Sequence, residues 1–172
     1  PSIPKGAYVV TQKYGYGNYA SYGIQFLHTE ISSPLNRGDI LVFEYPRDRN
    51  ISYAKRLIGL PSDHIKYKGK HLYINDQPVP STLLGAYDEF DIVHEANYRI
   101  ANTHGIPSRD FDVIVKAGHL FLLGDNRDDS IDSRFFGQLP FDHVVGKVVF
   151  VLKDGKAIPL APEGEYLTQL IR

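Results

Sequence analysis

The chain has 172 residues, a formal net charge of −1, 42% hydrophobic and 23% charged residues, and no Cys. This length suits one domain, or one domain with a large insertion, and can bury a core without disulfides or metal staples. The near-neutral charge excludes the electrostatic footprint of a nucleic-acid binder, the missing Cys excludes thiol chemistry, and no stretch approaches the ~18 apolar residues of a spanning helix.

Twelve Tyr, nine Phe and no Trp lean the chain towards β structure, with 15 Gly and 11 Pro as turn punctuation. Residues 7–13 (AYVVTQK) read as a strand after the turn at residues 4–6, and residues 14–23 as an aromatic, glycine-rich loop. Residues 39–45 (DILVFEY) form a strand stopped by Pro46, and residues 53–60 (YAKRLIGL) another stopped by Pro61. Residues 64–75 read as a hairpin turning at 68–70. From about Gln77 to Lys116 the pattern is irregular and polar, and this stretch reads as a small subdomain or a long excursion. Residues 118–123 (GHLFLL) and 144–152 are apolar strands, and residues 165–172 a short helix. The chain opens at Pro1 and contains no Met, so further residues are expected before Pro1 in the natural protein.

The densest chemistry lies in residues 124–137 (GDNRDDSIDSRFFG). Asp125, Asp128, Asp129 and Asp132 face Arg127 and Arg134 within a short span, and charges packed this closely need partners. In an extended segment Ser130, Asp132 and Arg134 share one side. A solvated, Asx-rich turn has the same composition, and the acidic spacing does not fit an EF-hand calcium loop. Lys55 is the second feature. Strand alternation sends Lys55, Leu57 and Gly59 to one face and Arg56 and Ile58 to the other. A Lys desolvated among apolar groups has a lowered pKa, and the neutral amine can take a proton from a Ser hydroxyl without His. A surface Lys that snorkels is the competing reading. The seven His show no metal-binding spacing and read as surface residues, so no metal is assigned.

Together, in this order, these segments resemble the bacterial type I signal peptidase family of Ser/Lys proteases. Residues 124–134 (GDNRDDSIDSR) match its GDNRDNSxDSR box, residues 37–43 (RGDILVF) its RGDIVVF strand, and residues 53–63 (YAKRLIGLPSD) its YxKRxIGLPGD lysine box. Residues 6–13 resemble the GDxxLVxK segment after the family's serine. The resemblance implies a mainly antiparallel β catalytic core, residues 1–65 and 117–172, with a smaller inserted β subdomain, residues 66–116. It implies Lys55 as general base, Ser130 as the hydroxyl that orients it, an Asp132–Arg134 supporting salt bridge, and Asp125–Arg127 as a second pair. Tyr53 and Ala54 are expected to bind substrate. No metal or organic cofactor is expected. The implied substrates are signal peptides of exported preproteins, bound as an added strand at a sheet edge and cut after a small residue. The implied setting is the inner membrane, with the catalytic domain at the lipid surface on the periplasmic side. Phe135 and Phe136, or the 14–22 loop, are candidates for touching lipid or for packing in the core.

The chain departs from the family pattern at several positions. Aligned through Gly6, residues 1–3 fall on the Pro-Thr-Leu of the family's SMxPTLxxGD serine box, which puts the nucleophile before Pro1. In a second register, residues 2–6 (SIPKG) resemble the SxPxG box of conjugative-transfer peptidases, and Ser2 attacks. A non-catalytic homologue acting in binding or assembly is a further alternative, against which the intact Lys55, Ser130 and Asp132 set argues. A self-cleaving Ser-Lys protease of the SOS-repressor type shares the dyad logic but lacks the GDNR box. Ala54 replaces the usual Ile or Val, which enlarges its pocket and removes roughly 2 kcal/mol of apolar contact. Ser62 replaces a Gly, at a local cost if φ is positive there, and Asp129 replaces an Asn, adding a charge that raises the pKa of Lys55.

Overall fold

Short alternating or fully apolar runs between turn residues leave the chain little choice but strands, and a computed structural model describes residues 3–4, 6–21, 24–86, 90–96 and 98–159 in these terms. In chain order the strands are β1 Tyr8–Gln12, β2 Asn18–Ser21, β3 Ile24–His28, β4 Ile40–Tyr45, β5 Asp48–Gly59, β6 His64–Lys68, β7 His71–Ile74 and β8 Gln77–Pro78. They continue as β9 Ser81–Ala86, β10 Phe90–Glu95, β11 Tyr98–Thr103, β12 Phe111–Ile114, β13 His119–Leu123, β14 Leu139–Pro140, β15 Val144–Lys153 and β16 Lys156–Pro159. One helical turn, α1 Ser133–Phe136, precedes β14. Among the described residues no helix is long and apolar enough to cross a membrane.

The main sheet runs β1-β15-β4-β5-β13-β14, with β16 beside β15, and its pairs are antiparallel. Its centre is covered on both sides, which is why β13 reads as a continuous apolar run rather than an alternating one. Leu120 and Leu122 point into one cluster with Leu41, Phe43 and Leu57. Phe121 and Leu123 point into another with Ile58, Ile65, Tyr67 and Leu72. The second cluster joins the main sheet to the sheet β12-β6-β7-β8. Each of these fully buried side chains contributes about 1.5–3 kcal/mol by burial. Gly59 lets β5 pack closely on this second cluster, since a Cβ there would lie 2.8 Å from Ile65 and 2.9 Å from Val115.

Residues 64–114 form two small sheets, the four-stranded one above and a three-stranded one, β11-β10-β9. The mainly antiparallel β fold expected from the sequence is therefore present. Some local expectations need correction. The stretch 77–116 is not irregular but carries β8 to β12, which are too polar or too short for alternation to stand out, as in the largely exposed β9 and the two-residue β8. The glycine-rich loop contains β2. Ser2 and the helix expected at 165–172 lie outside the described residues. His143 is buried, with Nδ1 3.0 Å from the Glu44 carbonyl oxygen and Nε2 3.0 Å from Arg49, so it is not a surface His.

Candidate active site

β4 pairs β5 as far as Arg56, whereas β13 ends at Leu123, opposite Arg56. The next residue of β5, Lys55, therefore faces the loop that follows β13. That loop closes on itself through Asp132. Its carboxylate caps α1 by accepting from the Arg134 backbone N–H at 3.2 Å, and it also accepts the Gly124 N–H at 2.9 Å. The Arg134 side chain binds the same carboxylate in a fork, 2.8 and 2.7 Å, with both side chains almost wholly buried. The turn this creates brings Ser130 Oγ to 2.8 Å from Lys55 Nζ. Gly124 makes the approach possible, because a Cβ there would overlap Ser130.

Burial pushes the Lys55 pKa below its ordinary value of 10.5, Asp132 pulls it back up, and Arg134 opposes Asp132. Asp129 also acts upward, the direction expected from its extra charge. The amine stands 5.8 Å from the centre of the Tyr53 ring, and that ring packs edge-on against Phe43 and Tyr45. Lys55 and Ser130 open into a pocket of about 190 Å³ that Ala54, Ile3, Ile40, Gly124, Asn126 and Asp129 also line. Ala54 is thus at the pocket, while Tyr53 lies against the aromatic cluster beneath the amine. Phe136 packs against the core with Phe43, whereas Phe135 is 45% exposed.

The expected Asp125–Arg127 pair is not what forms. Asp125 is held in a fork by Arg56, 2.8 and 2.7 Å, and Arg127 is held in a fork by Glu95 of β10. Residues 125–127 run as backbone beside β11, with Ala101 donating to the Asp125 carbonyl and accepting from the Arg127 N–H. The two side chains are claimed by different segments, Asp125 by Arg56 of β5 and Arg127 by the buried Glu95 of β10. Asp128 in turn accepts from the Thr103 N–H at 2.7 Å and from Lys70 at 3.0 Å. Sequence reading missed Arg56, Glu95 and Lys70. The available signal was Arg56, a charge on the apolar face of a strand that had to find a partner.

Two of the other motif segments meet away from the pocket. Arg37 forks onto Asp63 at 2.9 and 2.6 Å, tying the start of β4 to the end of β5. Burial pushes Asp63 up, yet the Arg37 bonds and the Leu60 N–H hold it below the usual carboxylate range. Ser62 adopts φ 72°, the left-handed region, so its replacement of Gly carries the expected strain.

Residues 1–153 match the family model described as signal peptidase, peptidase S26. The chain is 34% identical to a signal peptidase I of Pseudomonas fluorescens, across 88% of this chain and 60% of that protein. It is also 34% identical to a signal peptidase I of Rickettsia typhi, across 87% of this chain and 66% of that protein. The chain thus spans somewhat under two thirds of the length of these relatives. A crystal structure of a signal peptidase I from Enterococcus faecalis superimposes with a TM-score of 0.52 at 31% identity, covering 67% of this chain and 97% of that one. The matched residues include β5, which carries Lys55, and the loop that carries Ser130, and the chain belongs to the peptidase S26 family of signal peptidases.

Proposed function

We propose that this chain is the catalytic region of a membrane-associated serine endopeptidase that removes leader peptides from exported preproteins. The observation that carries the reading is a lysine amine with its pKa lowered by burial, oriented by Ser130 at 2.8 Å, at the mouth of a small pocket. A neutral amine is a competent general base, and its conjugate acid protonates a leaving amine. In this scheme a serine hydroxyl attacks the scissile carbonyl as Lys55 takes its proton. The tetrahedral intermediate expels the amine, which leaves with that proton, and water then attacks the acyl-enzyme with Lys55 again as base. Ser130 holds the amine, and the Asp132–Arg134 pair holds the loop that carries Ser130. Residues 66–116 act as an inserted subdomain on the core. Ala54 leaves the pocket wide, and Ala54→Ile narrows the preference at the substrate position it lines.

The attacking serine belongs to the N-terminal segment. Ile3 lines the pocket beside Lys55, so that segment enters the site whether the nucleophile precedes Pro1 or is Ser2. The test is cleavage of a fluorogenic leader-type peptide in detergent by this chain and by the full-length protein, each beside Lys55→Ala. Cleavage that falls roughly 10⁴-fold or more with Lys55→Ala is expected. If this chain cleaves by itself, Ser2 attacks; if only the longer protein does, the serine precedes Pro1. No cleavage by either folded protein contradicts the reading.

A further inference from the structure

We propose that Asp129 is a specificity determinant that favours peptides with a Lys or Arg side chain in the outer part of the Lys55 pocket. This inference rests on the peptidase reading above and narrows its substrate class. Three of the four aspartates in the 125–132 segment are engaged: Asp125 with Arg56, Asp128 with Lys70 and Asp132 with Arg134. Asp129 makes no ion pair among the described residues and is exposed, yet it lines the pocket. Four charged groups line that pocket: Lys55, Arg56, Asp125 and Asp129. Arg56 and Asp125 neutralise each other in a bidentate fork. Lys55 must be neutral to act as base, so in the working state the charge of Asp129 is the pocket's net charge. The rest of the lining combines an apolar part, Ile3, Ile40 and Ala54, with the uncharged polar Asn126 and Ser130 and with Gly124. An exposed carboxylate beside the apolar patch of Ile3, Ile40 and Ala54 suits a long aliphatic stem that ends in a cation, because the stem covers the patch while the head stays wet beside Asp129. A Glu at the same peptide position meets repulsion.

The experiment uses the full-length protein in detergent and a leader-type peptide set in which each position flanking the cut is in turn Lys, Gln or Glu. Cleavage is read as kcat/KM. Binding is read separately, by fluorescence anisotropy on the Lys55→Ala variant, which leaves the peptide uncut. At one position Lys should exceed Glu by about fivefold to tenfold, as expected for an exposed charge pair. The ratio should shrink at high salt and fall to within about twofold in Asp129→Asn. If the Gln peptides are cut or bound but no position shows a Lys preference that depends on Asp129, the inference is overturned and the peptidase reading stands. If no peptide is cut or bound, both fall.

Discussion

The two halves of the loop after β13 are built in contrasting ways. The half from Ser130 to Arg134 is local: Asp132 caps α1, binds Arg134 two residues on and closes on Gly124 eight residues back. The half from Asp125 to Asp128 is held by distant segments. Arg56 lies 69 residues from Asp125, Glu95 32 from Arg127 and Lys70 58 from Asp128. The first half presents Ser130 to Lys55, and the second fastens the loop to β5 and to the sheets of residues 64–114. The arrangement separates positioning of the amine from anchoring of the loop. It also gives residues 64–114 a physical task, since Glu95, Ala101, Thr103 and Lys70 all grip the anchoring half.

That division can be broken from either side. The largest effect belongs to Arg127→Met, which leaves Glu95 charged and buried and should cost about 3–5 kcal/mol in denaturant unfolding. Adding Glu95→Leu should recover most of that loss, because an apolar pair of similar volume replaces a buried ion pair at little cost. If the single variant unfolds like the parent, the anchoring role is wrong. Gly124→Ala acts on the other half. Its Cβ overlaps Ser130, so stability should fall by about 1–3 kcal/mol while leader-peptide cleavage drops at least tenfold at temperatures where the protein is folded. Ser62→Gly lies outside the loop and relieves a positive φ. It should raise stability by about 0.5–1 kcal/mol without moving the pH profile of cleavage, which separates fold strain from the chemistry of Lys55. The smallest effect is that of Asp129→Asn on that profile. Asp129 raises the pKa of Lys55, so its removal lowers that pKa, and the rising limb of rate against pH should shift to lower pH. A shift to higher pH would contradict the assignment.

Legibility in the sequence followed the same contrast. The Asp132–Arg134 pair was expected from the resemblance and forms, held locally by the cap on α1. The Lys55–Ser130 meeting could be read only through family resemblance, since no local rule brings residues 75 apart together. The Asp125–Arg127 expectation, which came from the resemblance, failed because Arg56 and Glu95, 69 and 32 residues away, claim the two side chains. The strands of the main sheet were legible as apolar runs bounded by Gly and Pro. Those between residues 77 and 116 were not, because β9 is mostly exposed and β8 has only two residues. His143 was misplaced on the surface because a single His has no periodicity to betray burial against Glu44 and Arg49.

The ionisation of Lys55 tests the account most directly, and it can be followed by selectively labelled NMR of the folded chain across pH, with Ser130→Ala alongside. The account predicts an amine that titrates below the ordinary 10.5, because burial disfavours its charged form, in both proteins. A Lys55 amine that titrates at or above 10.5 in the folded chain would mark it as a solvated surface lysine, and the general-base reading would be contradicted.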